Sequence, residues 1–178
     1  MKKTYSLLAA IVACLFVLFL NSCDKTSDLE KCKADPMCEY FRCNVDGKPW
    51  KPYCESSFLG CDAVDVQYYK ELNGGGLTIK ASKENDTSGF RIVNINIQDT
   101  DTEYDMYFLP NNRSKYFIKV AGDWDEYLVD TSTINILRFS KIDTVNFILE
   151  GTFQFTGINE NGLKKEITEG QFRQHYRF

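Results

Sequence analysis

The chain has 178 residues, with 21 Lys and Arg against 25 Asp and Glu and a single His, for a formal net charge of −4. That acidic balance lacks the cationic footprint that phosphate backbones require, which argues against nucleic acid as a partner. One histidine, His175, leaves little material for His-based catalysis or for a zinc site.

Met1-Lys2-Lys3 opens the chain, polar Thr4-Tyr5-Ser6 follows, and Leu7 to Leu20 carries no charge. A short cationic end before an apolar stretch is the pattern of a secretory signal. A spanning helix needs about 20 apolar residues, so this shorter run predicts cleavage rather than a permanent span. Leu20-Asn21-Ser22-Cys23 is similar to the bacterial lipobox, with an aliphatic residue at −3, a small one at −1 and an obligatory cysteine. Residues 1–22 are therefore expected to be removed. Cys23 is expected to carry diacylglycerol and further acyl chains such as palmitate, which hold the chain in a membrane. Removing Lys2 and Lys3 with the signal leaves 19 cationic against 25 acidic side chains, so charge would not draw the mature chain to an anionic bilayer.

Residues 24–39 are mostly polar and charged and cannot bury enough surface to fold alone. They read, with Cys23, as a tether (23–39) ahead of a domain over 40–178. Cys14 leaves with the signal, and Cys32, Cys38, Cys43, Cys54 and Cys61 remain. Their spacing contains no C-x-x-C pair, so disulfides in an oxidising compartment are favoured over a metal, and no metal or cofactor is expected. Cys54 and Cys61 bracket a short Gly-containing loop, and Cys32 and Cys38 bracket another. Cys38 with Cys54 is an open alternative. Five is odd, and Cys43, alternating with Phe41 and Val45 on an apolar face, is the candidate for the unpaired thiol.

From Tyr40 the apolar residues recur with period two, the strand repeat. Asp46-Gly47 predicts a hairpin between 41–45 and Lys48-Pro49-Trp50, with Pro49 suiting an edge. Further strands are predicted at 64–69, 77–81, 90–97, 105–109, 116–120, around Trp124 and Tyr127, and at 134–139, 145–156 and 164–172. Asn159-Glu160-Asn161-Gly162 is expected to make the last hairpin turn. About ten short strands and no helix of three turns after the signal predict an all-β domain. A single antiparallel sandwich or flattened barrel fits that count.

Asp99, Asp101, Glu103 and Asp105 alternate, but Tyr104 stands where a calcium loop needs Gly and Pro110 where it needs Glu. A solvated loop or strand face is expected there. Tyr68, Tyr69, Trp124 and Tyr127 are the candidate contact residues, as an aromatic platform or as interface anchors. His175 has no partner fixed beside it in sequence, and a structural or solvent role is expected.

Two segments carry a family resemblance. One is Phe41-Arg42-Cys43-Asn44-Val45-Asp46-Gly47-Lys48-Pro49-Trp50. The other is Gly151-Thr152-Phe153-Gln154-Phe155 with Ile167-Thr168-Glu169-Gly170-Gln171-Phe172. With the lipobox, they resemble a family of Bacteroidetes lipoproteins whose members are described only as domains of unknown function. The resemblance spans most of 41–172. It implies outer-membrane attachment and a β-rich fold, and it brings no catalytic residues. The cysteines at 32–61 exceed that family's pattern, so no disulfide layout follows from it. The expected function is a non-catalytic extracytoplasmic module that binds a protein or glycan partner. The alternatives are a structural envelope component without a soluble ligand and an enzyme whose site the sequence does not reveal.

Overall fold

Asp46 and Gly47 both take positive φ, 50° and 72°, the pair of left-handed positions that a two-residue hairpin turn requires. They join β1 (Tyr40–Val45) to β2 (Lys48–Trp50) in the computed structural model, which describes residues 38–53, 63–69, 75–83, 88–97, 103–105, 108–109 and 112–177. Every regular element among the described residues is a strand. β3 (Val64–Tyr69), β4 (Gly75–Lys83) and β5 (Ser88–Ile97) form an antiparallel meander. Three short strands follow: β6 (Glu103–Asp105), β7 (Phe108–Leu109) and β8 (Asn112–Arg113). β9 (Lys115–Val120) and β10 (Asp123–Val129) make a hairpin about Ala121-Gly122. β11 (Ile136–Asp143), β12 (Ile148–Ile158) and β13 (Lys164–His175) complete the set.

The main sheet follows the path β2-β1-β13-β12-β10-β9-β5-β4-β3, with β11 beside β12 and β6 beside β11. The fold is all-β, one curled antiparallel sheet. Bulges supply the curl, because each extra residue increases the local twist. One lies in β13, where Glu169 takes a φ of 53° and the register slips against both neighbours. Others interrupt β11 against β12 and β4 against β5. The two ends of the path are then brought together by a few main-chain bonds. The Tyr53 N–H donates to the Ser82 carbonyl (3.1 Å), that of Tyr68 to Arg177 (3.0 Å) and that of Arg177 to Val66 (2.9 Å).

The inward-facing residues form one aromatic core. The Phe90 ring lies 4.7 Å from Trp50, 5.0 Å from Tyr116, 5.9 Å from Phe41 and 6.2 Å from both Phe153 and Phe155. Trp50 Nε1 donates to the buried Ser88 hydroxyl at 3.1 Å, which satisfies its one donor. Ser114, fully buried, extends the ladder just before β9 begins. The Val93 N–H donates to its Oγ (2.9 Å), and its hydroxyl donates to the Val93 carbonyl (3.1 Å).

The late hairpin differs from a simple stack of large side chains. Gly151 stands opposite Phe172, and Phe153 opposite Gly170. Each strand's phenylalanine covers the partner strand's glycine, and a Cβ at Gly151 would lie 2.9 Å from the Phe172 ring. Phe155 opposes Ile167 directly. Residues 105–109 divide between β6 and β7 rather than forming one strand. Residues 144–147 form a turn, not the start of a strand. The Asp143 carboxylate accepts from the N–H groups of Val145 (3.0 Å) and Asn146 (2.9 Å), removing those donors from any ladder.

Candidate binding surface

Alternation along β9 and β10 places Tyr116, Tyr127 and Val129 inward, where they are buried. The opposite face carries Lys115, Phe117, Lys119, Trp124 and Glu126, with Trp124 opposite Lys119 and Glu126 opposite Phe117. Among the described residues, ladder pairing to its neighbours stops short of the turn. β12 pairs with β10 only at Leu128 and Val129, and β5 pairs with β9 only as far as Ser88 opposite Ile118. Trp124 lies four residues beyond the Leu128 pair, about 13 Å along the strand.

Trp124 is 54 % exposed. The ring of Phe117 meets it edge-on at 5.3 Å, and the Lys119 ammonium lies 6.0 Å from its centre. Lys115 pairs with Glu126 one rung below. Phe117 in turn sits over Gly89, where a Cβ would come within 2.5 Å of its ring. The indole is thus held upright on a braced face, with little rotamer freedom left to lose on binding.

The hairpin is tied to the β12–β13 turn at Asp125, the residue after Trp124. Asn159 Nδ2 donates to both Asp125 oxygens (3.0 and 3.2 Å), and the Tyr127 hydroxyl donates to the same carboxylate at 2.8 Å. Lys165 lies over the Tyr127 ring and reaches Asp46 at 2.5 Å, linking the β1–β2 turn to this end.

The four candidate aromatics do not assemble into one platform. Tyr127 is only 5 % exposed and Tyr68 2 %. Both face the core, Tyr68 edge-on to Tyr176 at 5.1 Å. Their alternation carries them inward, so they are corrected to packing residues. Tyr69 stands opposite Gly76 in β3, and its side chain lies outside the described residues. The sequence pointed to Trp124 but missed Lys119. The signal was present: the two residues are equidistant from the Ala121-Gly122 turn.

Cys23, Cys32, Cys54 and Cys61 lie outside the described residues, as do residues 1–22 and the acidic Asp99 and Asp101. Glu103 and Asp105 belong to β6, opposite Arg138 and Ile136. Cys38 is disulfide-bonded, and Cys43 is a free, buried thiol and so is not its partner. His175 closes β13 with its Nδ1 at 2.7 Å from Glu39 Oε1, which also accepts the His175 N–H at 3.0 Å. The residue thus fastens the start of the domain to β13.

Burial pushes the Cys43 thiol up to about 12. The Tyr127 phenol is pushed to about 12 by burial and then by its bond to Asp125. Both groups bind their proton more tightly in the fold than in the unfolded chain. The stability they contribute is therefore whole below the unfolded values near 9 and 10 and is lost as pH rises toward 12. Urea midpoints should fall steadily between pH 8 and pH 11. At pH 8 Cys43 should resist a thiol reagent until urea unfolds the chain, since only the thiolate reacts. Rapid native labelling would contradict that burial.

The chain matches no protein-family model, no curated protein and no solved structure.

Proposed function

We propose that the protein is an extracytoplasmic lipoprotein, anchored in the outer membrane through Cys23, whose β domain is a non-catalytic module that binds a partner protein. The anchoring half rests on the lipobox Leu20-Asn21-Ser22-Cys23 after an uncharged stretch. The binding half rests on one observation: a half-exposed Trp124, braced by Phe117 and Lys119 beside the Ala121-Gly122 turn of the β9–β10 hairpin. A rigid aromatic flanked by charge is the usual centre of a protein interface. A lone indole with a cation over its face suits a protein better than a sugar, which is gripped by broader aromatic platforms.

The test is capture from envelope extract with the mature chain and with Trp124→Ala. Removal of an exposed ring should leave the melting temperature nearly unchanged and cut partner recovery by about ten-fold or more. Equal recovery by a folded Trp124→Ala chain would remove the hairpin from the interface. Recovery that survives protease treatment of the extract would indicate a glycan instead, and turnover of a substrate would indicate an enzyme.

A further inference from the structure

The two ends of the curled sheet carry different turns, and the register tells which is which. One end carries the turns Asp46-Gly47 and 159–163 and the Ala121-Gly122 turn of the β9–β10 hairpin, with Leu163 and Trp124 exposed there. At the other end β1 begins, β13 finishes and β11 turns into β12. There Tyr40 stands opposite Arg173 and Ile148 opposite His175. Glu39, the residue through which the tether joins the domain, is fixed at this second end by His175.

The β11–β12 turn at the same end presents two apolar side chains to solvent. Val145 is 81 % exposed and Phe147 is 42 % exposed. The turn is built rather than loose. Asp143 Oδ1 accepts the N–H groups of Val145 and Asn146, and its Oδ2 accepts from Asn146 Nδ2 at 2.9 Å and faces Lys141 at 3.2 Å. Phe147 takes a φ of 57°, a conformation that a bulky residue adopts only under constraint. Its carbonyl accepts the Tyr176 N–H at 2.9 Å, and its ring meets Tyr176 edge-on at 5.8 Å. A strained backbone is thus held so that a partly exposed phenylalanine, its ring edge on Tyr176, lies beside an exposed valine. Asp143, the nearest carboxylate, has its charge already met by four groups, so approach to an apolar medium would strip little water from it.

We propose that the Val145–Phe147 turn inserts into the glycerophospholipid surface of the membrane that holds the Cys23 lipid, standing the domain on this end with Trp124 turned away from the bilayer. This inference rests on the anchoring reading above. The occupant follows from where the chain joins the domain. Sixteen residues, 24–39, separate Cys23 from β1, and the last of them, Glu39, is held at this second end by His175. The chain that carries the lipid thus enters the domain at this end. Apolar side chains at a turn are the groups that enter the boundary between head groups and acyl chains.

The test uses the full lipidated protein in phosphatidylethanolamine–phosphatidylglycerol vesicles containing brominated phosphatidylcholine, which quenches indoles that reach the acyl chains. In the wild type, Trp50 is buried and Trp124 lies at the far end, so little quenching is expected. Val145→Trp should add an indole that loses about half or more of its emission and shifts blue. Leu163→Trp, equally placed in an exposed turn at the opposite end, controls for the indole's own affinity for lipid and should stay unquenched. If Val145→Trp is unquenched while the protein floats with the vesicles, the turn does not touch lipid and the inference is overturned, with anchoring intact. Equal quenching of Leu163→Trp, or strong quenching of the wild type, overturns it as well. If the wild type does not float, or Cys23→Ala floats equally well, the anchoring reading is the one that fails.

Discussion

Gly151→Ala and Gly170→Ala should each destabilise the domain by about 3 kcal/mol or more, the upper range for forcing atoms into a filled interior. A Cβ at Gly170 would collide with the Phe153 carbonyl oxygen and come within 2.6 Å of the Phe153 ring. At Gly151 it would strike the Arg138 carbonyl oxygen and approach Phe172. Part of each collision is with backbone, so a rotamer change cannot relieve it. Gly76 supplies the control. It also lies in a strand, yet a Cβ there meets nothing within 4 Å. Gly76→Ala should change stability by less than about 1 kcal/mol, and in the stabilising direction if it mainly restricts the unfolded chain. Urea denaturation of the three variants measures the contrast. Similar losses at all three positions would refute the close-approach account.

Phe90→Ala should cost about 3–5 kcal/mol, the range for deleting a buried aromatic. Phe90 is fully buried, and its ring meets five other aromatic rings drawn from β1, β2, β9 and β12. No single neighbour can fill the space, because each is already fixed by its own strand. Phe147→Ala should cost much less, since that ring is partly exposed and makes its edge contact with Tyr176. Equal costs at Phe90 and Phe147 would mean that the core is not organised around Phe90.

Period-two alternation was sufficient to locate most strands, because half-buried antiparallel strands separate apolar from polar residues cleanly. Asp46-Gly47 was legible for the same local reason: both positions take positive φ, and few dipeptides do so easily. Some misreadings occurred where a side chain competes with the ladder or where a third strand decides the outcome. Val145 has strand propensity, but Asp143 claims its N–H, so the chain turns. Tyr68 and Tyr127 share the inward face of Val66 and Val129, so the alternation already marks them as packing residues rather than parts of an aromatic platform. The cross-strand partners of the late hairpin's glycines depend on a bulge at Glu169 that no local pattern marks. Of the candidate contact residues, Trp124 is exposed, Tyr68 and Tyr127 are buried, and the Tyr69 side chain lies outside the described residues. Lys119 required knowing the hairpin register.

The narrow seam between the ends of the sheet also governs how the protein behaves at high concentration. Arg177 occupies the Val66 carbonyl and the Tyr68 N–H on the outer edge of β3, and so stands where another chain's strand would otherwise add. The Arg177 guanidinium also reaches Asp65 of the same strand at 2.6 Å, so the latch opens only when this side-chain pair and the two main-chain bonds are lost together. Each such opening offers β3 as a template for intermolecular pairing. Resistance to aggregation is therefore set by how often that latch lifts, and it can change without any change in global stability.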